Sequence, residues 1–189
     1  GAACRVPFVI VRLDVKTQLF KDAQRLGRLD AYVMEFHDRN VIFFVVYGWT
    51  GGHTDLNAAQ RSDGLFEAID GEAKVQPKGP MCIVGDVNAD VGDLPTLEAM
   101  VTTGKWTDCG KQADLWGGIP NQTTCKANEG AIDTRRDFVF ANDLLLPGFT
   151  GFHVDYCDLY PTHQPIPVSI NLGTLTLNAC QYRTASSPL

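Results

Sequence analysis

Six short apolar runs, rich in β-branched and aromatic residues and bounded by polar residues, glycine or proline, constrain the fold of this chain most. They occupy residues 8–13, 32–36, 41–47, 81–84, 138–141 and 166–172. Runs of this length and composition are typical of β-strands. The polar run Asp38-Arg39-Asn40 predicts a tight turn between two of them, so residues 32–47 are expected to form an antiparallel hairpin.

Two helices are predicted between these strands. The first covers residues 55–69, with Thr54 or Asp55 as its N-cap. Its inward face is expected to carry the apolar residues at helical spacing, which are Leu56, Ala59, Phe66 and Ile69. The second covers residues 94–103, with Asp93 as its expected N-cap. Its expected inward residues are Leu97, Met100 and Val101.

The remaining segments set the expected domain limits. Residues 71–80 and 109–136 are predicted to be loops, and the second is long enough to be functional. Residues 1–175 are expected to form one domain, followed by a polar tail or linker at residues 176–189. The longest apolar run, residues 41–47, is far shorter than the roughly 20 residues of a membrane-spanning helix, so no such span is predicted.

Charge and cysteine content narrow the classes of function. The formal net charge of −6 argues against tight nonspecific binding of nucleic acid, although an acidic enzyme can still act on phosphates through a bound cation. The six cysteines are scattered and contain no C-x-x-C pair, which argues against a zinc site and a dense disulfide scaffold. We interpret them as reduced thiols, which favours a reducing intracellular compartment.

Three segments carry candidate chemistry at predicted strand ends. Asp86 and Asn88 follow the strand at residues 81–84, where a carboxylate can accept a proton from water and an amide can donate to a phosphoryl oxygen. A turn with Asx hydrogen bonding is the alternative. Asp137 opens a strand, where a solvated ion pair with a neighbouring arginine is the alternative. His163 precedes the last strand and suits proton transfer, with a purely structural histidine as the alternative.

In this order the three segments resemble the endonuclease/exonuclease/phosphatase family, the deoxyribonuclease-I-like superfamily. Its members have a G-D-x-N element, an R-x-D-[YF] element that opens a strand, and an S-D-H-x-P-[IV] element. Weaker similarities extend the resemblance over residues 8–172. Val45-Val46-Tyr47-Gly48-Trp49 resembles N-x-Y-x-P, Thr123-Thr124-Cys125 resembles Y-T-W, and residues 104–108 resemble the stretch after the G-D-x-N helix.

The resemblance implies an α+β fold, a two-sheet β-sandwich flanked by helices, with the active site at one end of the sheets. It also implies that the first strands and a metal-binding glutamate either precede residue 1 or are lost. The implied activity is Mg²⁺-dependent hydrolysis of a phosphate ester by attack of water on phosphorus, of the phosphodiesterase or nuclease kind. Family substrates include nucleic acid, inositol phosphates and lipids, and the sequence leaves that choice and the oligomeric state open.

The roles of the site residues follow from the same resemblance. Asp86 would activate or position the water, and Asn88 and Tyr47 would contact the phosphate. His163 would stabilise the pentavalent state or relay a proton, with Asp137 orienting its ring. The resemblance implies Mg²⁺ as cofactor, but the ligand set in this chain is incomplete.

The sequence departs from the family pattern at three positions. Thr162 replaces the aspartate of S-D-H, Val45 replaces the asparagine of N-x-Y, and Trp49 replaces the following proline. Two alternatives therefore stay open: a catalytically degenerate domain of the same fold that serves as a binding or structural module, and an unrelated α/β domain.

Overall fold

The computed structural model describes residues 8–36, 39–126, 132–156, 159 and 162–175. Its main sheet contains β1 (Phe8–Arg12), β2 (Leu29–Phe36), β3 (Asn40–Tyr47), β4 (Met81–Asp86), β5 (Trp106–Asp108) and β6 (Asp137–Asn142). The strands lie in the order β1-β2-β3-β4-β6-β5. Among these described strands, only β3 and β4 pair in parallel. A separate antiparallel pair is formed by β7 (Phe149–Phe152) and β8 (Val168–Ile170).

The described residues form three layers around the main sheet. Three helices, α1 (Gln18–Arg25), α2 (Leu56–Val75) and α3 (Pro95–Thr102), pack on one face through a core that includes Phe20, Phe44, Phe66, Leu97 and Phe140. The β7–β8 pair covers part of the other face through a second core that includes Val41, Cys82, Val139, Phe149 and Phe152. Successive strand residues thus enter different cores, as the pleat requires.

The parallel pairing of β3 and β4 determines where the site lies. Helix α2 is the crossover between these strands, and a parallel pair needs such a crossover so that both strands run the same way. Their carboxyl ends therefore reach the same edge of the sheet, where Tyr47 pairs in register with Asp86. Strand β6 is antiparallel to β4, so its first residue, Asp137, pairs with Asp86.

Two acidic side chains of α2 connect the helical layer. Asp63 accepts hydrogen bonds from the backbone N–H and hydroxyl of Thr96 and so caps the first turn of α3. Glu72 is fully buried and accepts from the backbone N–H groups of Lys16 and Thr17, at 2.8 Å each, just before α1. Helix α2 thus satisfies the otherwise unpaired donors at the starts of both neighbouring helices.

The predicted helices need correction. Asp55 does cap α2 by accepting from the N–H of Asn57, but the helix continues to Val75, so the loop predicted at residues 71–80 is shorter. Leu56 was expected to face inward and is instead 73% exposed, because it begins the helix at the domain surface. Asp93 accepts from the N–H of Asp90 rather than capping α3.

The fold class is confirmed: a mixed main sheet, a second small sheet and flanking helices. All six predicted strands exist, although the one at residues 166–172 is limited to Val168–Ile170. Sequence patterns did not predict α1, β5 or β7, because β5 and β7 are short and α1 buries only Phe20 and Ala23.

Several predictions lie wholly or partly outside the described residues. The hairpin of β2 and β3 is confirmed, but its predicted turn includes Asp38, which is not described. The predicted tail at residues 176–189 is also outside the described part. Cys82, Cys109 and Cys125 are free thiols, and the other three cysteines are not described. None of the helices in the described ranges has the length and apolar character needed to cross a lipid bilayer.

Candidate active site

Three predicted site residues meet at the carboxyl end of β4. His163 Nδ1 lies 2.8 Å from Asp137 Oδ2, which is hydrogen-bond distance, and His163 Nε2 lies 3.9 Å from Asp86 Oδ2. Asp86 ends β4 and Asp137 begins β6. The imidazole therefore stands between two carboxylates and is oriented by one of them. Its side chain is 41% exposed, so the cluster is open to a ligand.

A short backbone ladder brings His163 to this position. Cys125 forms isolated β-bridges with Thr134 and His163. On either side of His163, the carbonyl of Thr162 accepts from the N–H of Lys126 at 2.8 Å, and the N–H of Gln164 donates to the carbonyl of Thr124 at 2.7 Å. The segment predicted as a long loop thus contains the strand-like contact that delivers the histidine.

Thr124 supports the cluster by binding the backbone at the start of β6. It is buried, and its hydroxyl accepts hydrogen bonds from the backbone N–H groups of Arg136 at 3.0 Å and Asp137 at 2.9 Å. These bonds hold the start of β6 and hence the carboxylate that orients His163. Sequence reasoning gave Thr124 only a resemblance to a family motif and no role, since its partners lie 12 and 13 residues away.

The electrostatic environment moves two pKa values upward. Burial, followed by the negative charge of Asp137, raises the pKa of Asp86 above its ordinary value. Burial lowers the pKa of His163, but the hydrogen bond that His163 donates to Asp137 and the charges of Asp137 and Asp86 outweigh it, and the net pKa is raised. Asp86 is thereby a stronger base than an exposed aspartate, and His163 retains its proton more readily than an isolated histidine.

Asn88 fixes the orientation of Asp86. Its side-chain NH₂ donates to Asp86 Oδ2 at 2.8 Å and to the carbonyl of Gly48 at 3.3 Å, and its backbone N–H donates to Asp86 Oδ1 at 3.1 Å. Its φ of 56° lies in the left-handed region that asparagine tolerates better than most residues. For this NH₂ to donate to a phosphate, its longer hydrogen bond, to the carbonyl of Gly48, must be replaced by one to the phosphate.

Gly85 allows β4 to reach the site. Its φ is +144°, and a Cβ atom here would lie 1.9 Å from the carbonyl oxygen of Val46 on β3. The sequence predicted that β4 ends at Val84. Instead β4 continues through Gly85 to Asp86, and the glycine permits close contact with β3.

Tyr47 ends β3 beside Asp86 and is 49% exposed. The guanidinium of Arg28 lies over its ring, 4.8 Å from the centroid. Arg28 also donates to the carbonyl of Gly48 at 3.2 Å. The sequence gave no indication that Arg28, which immediately precedes β2, belongs to this edge of the sheet.

Several polar and aromatic residues near the site have structural partners. Arg135 forms an ion pair with Asp108, and the largely buried Arg136 pairs with Asp90 at 3.1 Å. These arginines therefore do not form an exposed phosphate-facing patch. Trp106 is buried, and Trp116 packs against Phe149.

The donor set of the cluster can hold a divalent cation. Ligand atoms of Asp86, Asp137 and His163 all lie within 4.8 Å of one another. Mg²⁺ prefers oxygen ligands and is commonly held through one or two carboxylates together with substrate phosphates. The two carboxylates suit this mode, whereas the imidazole is already committed to Asp137 through Nδ1. Thr162, at the position where the S-D-H element has an aspartate, is exposed and carries a hydroxyl instead of a carboxylate.

Comparison with known proteins supports the fold. No protein-family model matches the chain, and no curated protein matches it significantly. The structure is similar to NExo, a 3′ phosphatase from Neisseria bound to product DNA hairpin, with 17% identity and a TM-score of 0.60 over 85% of this chain and 72% of that one. It is also similar to TDP2 from D. rerio complexed with single strand DNA product, with 13% identity and a TM-score of 0.58 over 86% of this chain and 68% of that one.

An endonuclease/exonuclease/phosphatase family protein from Bacteroides thetaiotaomicron has 18% identity and a TM-score of 0.52, over 74% of this chain. This chain spans 54% of that protein. The chain therefore has the fold of the endonuclease/exonuclease/phosphatase superfamily.

Proposed function

We propose that this chain is a phosphoester hydrolase of the endonuclease/exonuclease/phosphatase type, nuclease-like or phosphodiesterase-like, in which water attacks phosphorus. One observation carries the proposal: the ring of His163 is held by Asp137 at 2.8 Å and faces Asp86 at 3.9 Å. An oriented imidazole beside a partly buried carboxylate supplies an acid and a base in one cleft. The similar structures of a 3′ phosphatase and a DNA-bound enzyme support the same class.

Asp86 and His163 divide the chemistry according to their environments. Asp86, with its raised pKa, accepts a proton from the attacking water. The new P–O bond forms as the ester bond breaks, and the leaving oxygen takes a proton from solvent. His163, whose pKa is raised by its acidic neighbours, donates from Nε2 to a phosphoryl oxygen that gains charge.

Asn88, Tyr47 and Asp137 position the reacting groups. Asn88 holds Asp86 and offers its NH₂ to the phosphate, and Tyr47 borders the phosphate at the end of β3. Asp137 fixes the tautomer and orientation of His163. When bound by Asp86 and Asp137 with phosphate oxygens, Mg²⁺ would neutralise charge on the phosphate.

Hydrolysis of bis-p-nitrophenyl phosphate and of DNA, with Mg²⁺ or with EDTA, tests the proposal. Unmodified protein is expected to turn over at least one substrate with Mg²⁺. His163→Ala is expected to lower kcat by about 10²- to 10⁴-fold, the usual contribution of an acid–base group. His153→Ala is the matched control, because His153 is exposed and, among the residues that the structure describes, forms a hydrogen bond only through its backbone N–H. Equal activity of the two variants would contradict the assignment.

A catalytically degenerate binding module is the second candidate, favoured by Thr162. The residue beside His163 carries a hydroxyl, so the cluster in the described residues has two carboxylates. If this reading holds, unmodified protein binds phosphate esters without turnover, and Thr162→Asp gains Mg²⁺-dependent hydrolysis. Turnover by the unmodified protein excludes it.

A further inference from the structure

Two arginines and two aromatic rings form a cationic cluster next to the candidate active site. We call these residues, Arg28, Tyr47, Trp49 and Arg61, the arginine stack. The guanidinium of Arg28 lies 4.8 Å from the ring centroids of both Tyr47 and Trp49. The guanidinium of Arg61 lies 4.3 Å from the centroid of Trp49. These contacts are cation–π interactions, which hold an arginine in place without neutralising its charge.

The charges of the arginine stack remain available to a ligand. Within the described ranges, neither Arg28 nor Arg61 forms an ion pair with a carboxylate. Arg28 is partly exposed and Arg61 is exposed. By contrast, Arg12, Arg25, Arg135 and Arg136 each pair with an aspartate. The chain has a net charge of −6, so two adjacent guanidinium groups without carboxylate partners form a local region of positive charge in an acidic protein.

We call Asp86, Asp137 and His163 the reacting cluster. The arginine stack is joined to it through one carbonyl group. The oxygen of Gly48 accepts from Arg28 at 3.2 Å and from the side chain of Asn88 at 3.3 Å. Asn88 in turn donates to Asp86 at 2.8 Å. A phosphate held at the cluster therefore has the Arg28 guanidinium as a near neighbour on the side of β3.

Helix α2 fixes the position of Trp49 in the stack. The backbone N–H of Trp49 donates at 2.8 Å to the hydroxyl of Ser62, which is fully buried in α2. The preceding residue, Gly48, has no room for a Cβ atom, which would lie 2.0 Å from the carbonyl oxygen of Val87. The loop after β3 is thus held on two sides, and the indole ring is a fixed support for both arginines.

We propose that the arginine stack is a second phosphate-binding site, which holds the phosphate group adjoining the one at the reacting cluster. Arginine binds phosphate through planar, paired N–H donors, and stacking on aromatic rings prepares that geometry. The preferred substrate therefore carries at least two neighbouring phosphates, as in a polynucleotide or an inositol polyphosphate. This inference rests on the proposed function, because the first phosphate is placed at Asp86 and His163.

Calorimetric titration of the whole chain in EDTA tests this site without turnover. The ligands are TpT, with one phosphate, TpTpT, with two, and inositol trisphosphate. Arg61→Ala is expected to weaken binding of TpTpT about tenfold, the size of one charge-assisted hydrogen bond, and to leave TpT unchanged. The slope of log affinity against log salt should fall by about 0.7 for TpTpT. Arg25→Ala is the charge-matched control, because Arg25 is exposed and pairs with Asp22 on α1.

The outcomes separate this site from the proposed function. If Arg61→Ala weakens binding of TpTpT alone, the site is supported and the ligand is a polynucleotide. If it weakens binding of inositol trisphosphate equally, the site is supported and accepts neighbouring phosphates from other molecules too. Unchanged binding of TpTpT, or an equal loss with TpT, overturns the site even if the chain hydrolyses phosphodiesters. Arg28→Lys keeps the charge and loses the planar pair of donors, and it should weaken binding of TpTpT more than binding of TpT, although Arg28 also lies near the first phosphate. Absence of hydrolysis together with selective binding overturns the proposed function and leaves the site standing.

Discussion

His163 takes its electrostatic character from Asp137 and Asp86. The ring is hydrogen-bonded to the first and lies within 4 Å of the second, and both raise its pKa against the effect of burial. A histidine in this setting carries a proton at higher pH than an isolated one. The proposed acid function of His163 therefore depends on Asp137, which has no direct part in the proposed attack.

Asp137→Asn is expected to lower the pKa of His163, because the variant removes both the charge-assisted hydrogen bond and one negative charge. NMR titration of the imidazole resonances measures this directly, without a substrate. Asp155→Asn is the control, since Asp155 is exposed and its backbone N–H, not its carboxylate, donates to the carbonyl of Pro165. An unchanged pKa of His163 in the Asp137 variant would show that the hydrogen bond does not form in solution.

Gly85 is a residue at which a single methyl group is expected to disrupt the fold. Gly85→Ala places a Cβ atom 1.9 Å from the Val46 carbonyl at a strained φ, and should cost more than about 3 kcal/mol of unfolding free energy. Gly64→Ala is the contrast, because Gly64 lies within α2 with open space around it. That variant should stabilise the protein by about 0.5–1 kcal/mol. Urea denaturation compares both, and similar effects would refute the close contact between β3 and β4.

At the scale of elements, the buried Glu72 links α2 to the start of α1. Burial raises the pKa of Glu72, but the hydrogen bonds from Thr17, Gln76 and the backbone of Lys16 outweigh it, and the net pKa is lowered. A carboxyl whose pKa is lower in the folded state stabilises folding above its unfolded value of 4.5. That stability is lost as pH falls from there through the folded pKa.

Glu72→Gln is therefore expected to lower the free energy of unfolding by about 2 kcal/mol at neutral pH, since charged hydrogen bonds are lost. The difference between variant and unmodified protein should shrink as pH falls below 4.5. Denaturation at neutral and acidic pH measures both effects. Glu67→Gln, at an exposed position of the same helix, should show neither, and a pH-independent difference at position 72 would contradict the linkage.

Elements were predictable from sequence where their signals are local. Asp55 caps the helix that begins at the next residue, and the six apolar runs all formed strands. The cap of α3 was assigned wrongly, because its acceptor, Asp63, lies 33 residues before Thr96. Helix α1 is only eight residues long and buries only Phe20 and Ala23, and the donors just before it are satisfied by Glu72 of another helix, so its own residues carry a weak signal.

In the candidate site, too, residues with a local sequence signal were predicted and residues defined by long-range contacts were not. Asp86, Asp137 and His163 were nominated because each lies next to a predicted strand, and the strand ends do meet. Their roles in hydrolysis stay a prediction. Thr124, Arg28 and Arg61 could not be found from sequence, because their partners are brought near only by the sheet and by packing.

At the scale of the whole molecule, β1 presents apolar surface at the edge of the main sheet. Phe8, Val9 and Ile10 are each at least half exposed, although they alternate along the strand. Exposed apolar edge strands promote pairing between chains. Within the described residues, β1 pairs on one side only, with β2.

Ile10→Lys is expected to reduce self-association of this chain, because a charge on an edge strand opposes pairing between sheets. Size-exclusion chromatography with light scattering, over a range of protein concentrations, measures the effect. Leu26→Lys is the control, since Leu26 is equally apolar and exposed but follows α1 rather than lying on the edge. An equal effect of the two variants would point to general solubility instead of the edge.

The backbone ladder at Cys125 and the main sheet are expected to open at different free energies. His163 reaches Asp137 through a few hydrogen bonds outside the two cores, whereas Asp86 and Asp137 belong to strands of the main sheet. Segments held in this way open at a lower free energy than the sheet does. The reacting cluster is therefore expected to separate and reform while the domain remains folded, and under the proposed function only the fraction of molecules with the ladder closed would be competent to act.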